Sequence, residues 1–222
     1  MVRYGDEIMS TTKLSRKERE KLGHRKEILE AALSLFSING FHNVSMQDIA
    51  DKSEFGIGTL YTFFESKEQL FVELIKAGIE KIGRLLIPIL DSDQEEEKKL
   101  SEYIRAHVDL VESNIEFIRL YISQYGSAAI ARLAIAGESI DLKKIALKKL
   151  ENIIKTGIQK QIFRRVHPEI AALSLQATLE TFGLESSEDF DEAKIKEGFS
   201  KIEKFFLTSL LKKETDNDTE TI

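Results

Sequence analysis

Side chains that could do chemistry are sparse in this chain of 222 residues, and most of them stand apart from one another. The four histidines are His24, His42, His107 and His167, and no two share the helical spacing of metal ligands, so a carboxylate-bridged metal bundle is not expected. There is no cysteine, which removes disulfides, thiolate metal sites and cysteine nucleophiles together. No Ser-His-Asp or phosphate-loop grouping stands out. Gly56-Ile-Gly58 opens like a dinucleotide fingerprint, but Tyr61 takes the place of the third glycine and no strand precedes it. The one dense constellation is Ser45, Gly58, Thr59, Tyr61 and Lys67. Its chemistry is recognition. Free amides at helix starts, small hydroxyls, a phenol and an ammonium suit phosphates and base edges. Neither an enzyme nor a cofactor is expected.

Those residues need helices to hold them, and helical periodicity dominates the chain. The first helix is predicted over about 16–39, with a possible break at Gly23 and a stop at Gly40. Ser45 with Asp48 reads as a capping box that opens a second helix, ending near Ser53, with Val44 and Ile49 as its hydrophobic staple. A short third helix is predicted over about 57–64, capped at Gly56 and stapled by Phe55 and Leu60. Ser66 and Gln69 open a fourth, over about 67–87, which Pro88 ends or bends. Two short helices with a short connection have the layout of a helix-turn-helix, with Phe55–Phe64 as the element that enters a major groove. Further helices are predicted over about 95–112, 115–125, 127–137, 140–161, 168–183 and 190–211. The expected fold is all-α. A disordered leader (1–14) precedes a helix-turn-helix domain (15–66), a larger helical domain (67–212) and a disordered tail (213–222).

Charge sharpens this division. The formal net charge is −6, which by itself argues against nucleic acid. From Lys13 to Lys67 there are nine Lys/Arg against eight Asp/Glu, and from Glu68 onward 22 against 28. The bases of the first part cluster at Lys13, Arg16, Lys17, Arg19, Lys21, Arg25 and Lys26. An acidic body behind a basic-fronted head can meet a polyanion with one end only. Only 2 Pro and 12 Gly among 222 residues argue against disordered or turn-rich all-β classes. No apolar run nears the ~20 residues of a membrane span, and a cytoplasmic, membrane-free protein is expected.

The head resembles a known family. Arg25-Lys-Glu-Ile-Leu-Glu-Ala-Ala, Leu35-Phe36, Gly40-Phe41, Ser45-Met-Gln-Asp-Ile-Ala50, Gly58-Thr-Leu-Tyr61, Phe64 and Ser66-Lys-Glu68 resemble the DNA-binding domain of TetR-type transcriptional regulators, in order and over about residues 25–75. The resemblance implies phosphate contacts by Ser45, Tyr61 and Lys67, and by Arg25 at the head of the first matched helix. It implies that Ile57, Gly58 and Thr59 face bases, with Thr62 and Phe63 further along. The sequence departs from the pattern at three positions. Glu54 replaces the usual glycine of the turn, so a positive φ there is strained by ~1 kcal/mol. Gly56 replaces a capping hydroxyl, and Ile57 replaces a polar residue and favours a thymine methyl.

For the body, the resemblance implies a pocket between central helices and dimerisation through the last two. Candidate pocket residues are Tyr103, His107, Arg119, Tyr121, Gln124, Tyr125 and Gln176, in apolar surroundings that suit a hydrophobic or aromatic ligand. Candidate dimer residues are Ala172, Leu175, Leu179, Phe199, Ile202 and Phe206, although intrachain core is an equally good reading of such faces. The implied whole is a homodimeric, ligand-responsive regulator, a repressor bound to palindromic double-stranded DNA. The alternative is a helical small-molecule-binding or scaffold protein whose head contacts protein.

Overall fold

The computed structural model describes residues 15–125, 139–188 and 190–212, and the side chains of 121–125, 139–141 and 188 are not described. The expected leader (1–14), the helix over 127–137 and the tail (213–222) lie outside the described residues. The helices are α1 (Arg16–Asn39), α2 (Met46–Lys52), α3 (Ile57–Phe63), α4 (Lys67–Leu90) and α5 (Glu96–Ser113). They continue with α6 (Ile115–Tyr125), α7 (Ser139–Gln159), α8 (Pro168–Glu188) and α9 (Glu192–Leu210). A single 3₁₀ turn, Phe41–Asn43, lies between α1 and α2. Among the described residues there is no strand, only an isolated bridge between Phe163 and Leu211. No described helix is long and apolar enough to cross a membrane.

Local chemistry explains where the helices stop and start. Ser15 and Glu18 cap α1 reciprocally, and the helix runs unbroken through Gly23. It stops at Gly40, where φ is 77° and the amide donates to the Phe36 carbonyl, a backbone state that favours glycine. Phe41 then folds back to place its ring centroid 5.4 Å from that of Phe36. Pro88 sits inside the last turn of α4 and does not end it; Asp91 and Ser92 close the helix with amide bonds to Ile87 and Ile89. Near a helix end, a proline forfeits only one backbone bond. α8 runs to Glu188, further than periodicity suggests.

Two compact units meet at Leu74 and Ile75, inside α4 and beyond the division expected at 66/67. The physical reason is that the first turns of α4 supply core to the head: Leu70, Phe71 and Leu74 are buried there. Phe71 meets Phe41 at 5.0 Å and Phe36 at 5.8 Å, both near edge-on. With Ile28, Ala32, Ile49 and Leu60, these rings form a head core beneath α2 and α3.

In the second unit, α5 packs against α7, α8 and α9, while α8 also meets α6, α7 and α9. The shared core includes Leu100, Tyr103, Ile104, Leu150, Ile154, Ala172, Leu175, Leu179, Ile195 and Phe199. Arg105 and Ser101 on α5 donate to Glu203 on α9 at 2.8 and 2.6 Å. Burial raises the Glu203 pKa, but these hydrogen bonds outweigh it and hold the carboxyl below its ordinary range.

The end of α7 is tied to the end of α9. Gln161 takes φ 62°, the Ile162 and Phe163 amides both donate to Gly157, and Arg164 donates to Leu210. The buried Phe163 ring lies on Gly157, where a Cβ would stand 2.1 Å from a ring carbon. Gly157→Ala should therefore cost about 1–3 kcal/mol by overpacking. Urea unfolding should show a lower midpoint with an unchanged m value. An unchanged midpoint would refute the close approach.

Candidate nucleic-acid interface

The candidate site is assembled from the start of α2 upward. Ser45 takes an extended backbone (φ −98°, ψ 165°), and its hydroxyl accepts from the Asp48 amide at 3.1 Å. The Asp48 carboxylate accepts from the Ser45 amide and hydroxyl, both at 2.7 Å. These hydrogen bonds hold Asp48 below the usual aspartate pKa. The reciprocal cap gives α2 a defined first turn and leaves Ser45 exposed beside it.

The connection to α3 depends on Glu54, whose φ is 58°. A glutamate therefore occupies the left-handed region at the expected turn, and the Phe55 amide closes the turn onto the Ala50 carbonyl at 3.1 Å. Gly56 caps α3 through its backbone alone, with φ −64° and no side-chain hydrogen bond. Leu60 and Phe64 root the helix in the head core. The opposite side is presented outward: Gly58 and Thr62 are exposed, Tyr61 is 54% exposed, and Ile57, Thr59 and Phe63 are half-buried. The Thr62 hydroxyl donates to the Thr59 carbonyl at 2.7 Å, so it faces along the helix.

Arg25 and Lys67 have internal duties. The Arg25 guanidinium pairs with Glu73, donates to the Phe63 carbonyl and lies over the Phe64 ring, 4.7 Å from its centroid. The Lys67 ammonium donates to the Phe41 carbonyl at 2.8 Å and the Val44 carbonyl at 2.7 Å, above the Phe41 ring. Two of its three donors are thereby spent on the loop that leads into Ser45. Both residues hold the reading elements in place. On α2, exposed Gln47 donates to Asp51 at 2.7 Å and Lys52 is exposed nearby. The sequence reading passed over both, although Gln47, just after the helix cap, is a legible signal.

The body residues separate into groups. The Tyr103 hydroxyl donates to Gln176 at 2.7 Å, Gln176 donates to Glu180 at 2.8 Å, and Lys143 donates to the other Glu180 oxygen at 2.6 Å. His107 lies beside Tyr103, with ring centroids 4.8 Å apart. Its Nδ1 must carry the proton, because the Tyr103 carbonyl 2.8 Å away can only accept. Burial pushes its pKa down to about 4, so the ring is neutral at pH 7. Burial likewise raises the Tyr103 phenol. Tyr103, His107 and Gln176 thus come together. Arg119 does not join them: it is exposed and donates to the Ser187 carbonyl at 2.9 Å. The side chains of Tyr121, Gln124 and Tyr125 lie outside the described residues.

The residues read as a dimer interface belong to the interior of one chain. Ala172, Leu175, Leu179, Phe199 and Phe206 are buried in its core, and Ile202 is half-buried against it. Helical periodicity identifies an apolar face without saying whether its partner is the same chain or another. Among the described residues, the exposed large apolar side chains of this helix pair are Ile170, Leu173 and Phe205, at 60%, 49% and 65% exposure.

Comparison with known proteins places this geometry. The sequence profile described as "Bacterial regulatory proteins, tetR family" matches residues 28–74. The HTH-type transcriptional repressor KstR of Rhodococcus jostii is 40% identical over 58 residues, 26% of this chain and 27% of that protein. The chain spans about a third of the length of the first curated relatives it matches. Likeness of fold extends further. The ketosteroid transcriptional regulator KstR2 of Mycobacterium tuberculosis superposes with a TM-score of 0.66 at 19% identity, covering 85% of this chain and 95% of that one. A Clostridium perfringens protein described as a fatty acid metabolism regulator gives 0.62 at 26% identity, covering 84% and 100%.

The turn at Glu54 supplies a test of the site's construction. Glu54→Gly should remove the left-handed strain and stabilise the protein by ~1 kcal/mol. Thermal or urea unfolding checks this, and destabilisation would contradict the strained turn. A capped α2, a tight turn and an outward α3 occupy the segment, residues 28–74, that matches the profile of the tetR family of bacterial regulatory proteins, ahead of a body whose described elements are helices.

Proposed function

We propose that this chain is a ligand-responsive, homodimeric DNA-binding repressor that binds a palindromic operator and acts in the cytoplasm. The observation that carries the reading is α3: rooted by Leu60 and Phe64, it turns Gly58, Tyr61 and Thr62 outward beside the capped start of α2. In a major groove, Ile57, Gly58 and Thr59 face bases, with Thr62 and Phe63 further along. Ser45 and Tyr61 contact phosphates on either side, and Arg25 and Lys67 position the two helices and add charge near the backbone. One such helix reads few bases, so two heads related by a twofold axis are needed for a selective site. The outward face of α8 and α9, with Ile170, Leu173 and Phe205, suits the isologous contact.

The body supports a ligand role. The Tyr103–Gln176–Glu180 chain places polar atoms inside an apolar bundle, where they can orient a mostly hydrophobic molecule. The similar proteins named for ketosteroids and fatty acid metabolism agree with an apolar ligand. Within the body, the Phe117 ring of α6 is seated on Gly78 of α4, where a Cβ would stand 2.1 Å from it. A ligand that displaces α6 would press on α4 at this point. To release DNA, it must bind the displaced state more tightly than the DNA-competent one.

Selection by the purified full chain from a pool of random duplexes at modest salt tests the proposal. A palindromic sequence should emerge, and Tyr61→Phe should weaken binding about 3- to 10-fold on every sequence alike, the value of one hydrogen bond to a phosphate. Absence of any selected sequence overturns the reading and favours a head that contacts protein, to which exposed Glu54 is suited.

A further inference from the structure

Among the described residues, the first two turns of α1 have no buried face. All residues from Ser15 to Leu22 are exposed, and the segment lies ahead of residue 28, where the family profile begins. α1 first meets the reading elements at His24, whose ring lies 5.0 Å from that of Phe55 just before α3, and at Arg25, which touches the far end of α3. A helix rises 1.5 Å per residue, so the chain from Arg25 back to Arg16 extends about 14 Å along its axis, the rise of about four base pairs. Two turns with no buried face gain nothing from packing and are marginal by themselves. The Ser15–Glu18 cap and the Arg16–Glu20 pair support them locally.

The charges of this extension are sorted. Both carboxylates are occupied, Glu18 by the Ser15 amide at 2.8 Å and Glu20 by Arg16 at 2.8 Å. Lys17 and Lys21 stand one turn apart on the same side, both exposed, and among the described residues neither has an ion-pair partner. The extension therefore presents a short cationic face that leaves the head from beside both ends of α3.

We infer that Lys17 and Lys21 bind DNA phosphates flanking the stretch read by α3, a contact outside the helix-turn-helix. The inference rests on the DNA-binding reading above. Such a contact adds affinity and reach without adding sequence choice, because phosphates carry no base information. It also gives the exposed turns a partner whose charge complements theirs.

The test compares the full-length wild type with Lys17→Gln/Lys21→Gln. Both are titrated onto a duplex of about 40 base pairs with the selected sequence at its centre, between about 50 and 200 mM salt. The variant should keep the same sequence preference. Its slope of log affinity against log salt should be shallower by about 2 for each head bound, so the wild type's advantage shrinks roughly tenfold per head over that range. On a duplex trimmed to the ends of the selected sequence, the two proteins should bind alike. An unchanged slope on the long duplex overturns this inference and leaves the DNA-binding reading standing. Failure of both proteins to bind any duplex overturns that reading, and this inference with it. An unchanged slope, combined with loss of binding to phosphatidylserine vesicles by the variant, would assign the face to a membrane surface instead.

Discussion

The head depends on an ammonium placed where three elements meet. Lys67, the first residue of α4, donates to the carbonyls of Phe41 and Val44 and lies over the Phe41 ring. Those carbonyls belong to the segment between α1 and Ser45. Satisfying them from α4 fixes the approach to the Ser45 cap, which sets the start of α2. α2 and the Glu54 turn then aim α3, whose inner residues Leu60 and Phe64 complete the same core. The Phe36, Phe41 and Phe71 rings lock α1, the loop and α4 beneath this arrangement. Moving Lys67 would disturb every outward side chain of the site, even those it never touches.

The body follows a different economy. Among the described residues, its interior is apolar except for Tyr103, His107, Asn114, Gln176, Ser187 and the carboxylates Glu96 and Glu203. Tyr103 and Gln176 are satisfied in a chain that begins at the buried Tyr103 hydroxyl and ends at the more exposed Lys143–Glu180 pair. A neutral His107 sits against Phe199 and Tyr103 as part of the packing, not as a charge. Polar atoms that are already paired can exchange partners with a ligand at modest cost, because the bond lost is replaced by the bond gained.

How much of this was legible beforehand depended on whether the determining physics was local. Caps, staples and stop signals are local, so Ser45–Asp48 and Gly40 could be read from neighbouring residues, whereas the Glu54 turn was read as a departure from the family pattern. The outward set on α3 came from the family resemblance, and Leu60 and Phe64 root the other side of that helix. Partnership is not local. Periodicity marked Ala172, Leu175, Leu179, Phe199 and Phe206 as one face, but the structure turns that face toward its own core. The internal bonds of Arg25 and Lys67 were also invisible, since their partners lie 23 to 48 residues away in sequence. Arg119 read as a pocket residue for a similar reason, because its partner Ser187 is 68 residues distant.

The central claim is that the α2–α3 face is where DNA is bound. Amide hydrogen exchange, measured with and without a duplex selected by the protein, addresses it directly. The account predicts slowed exchange across Ser45–Lys67 on DNA addition, at helix-start amides that are otherwise open to water. Unaltered exchange there, with protection confined to residues beyond Ile75, would contradict it.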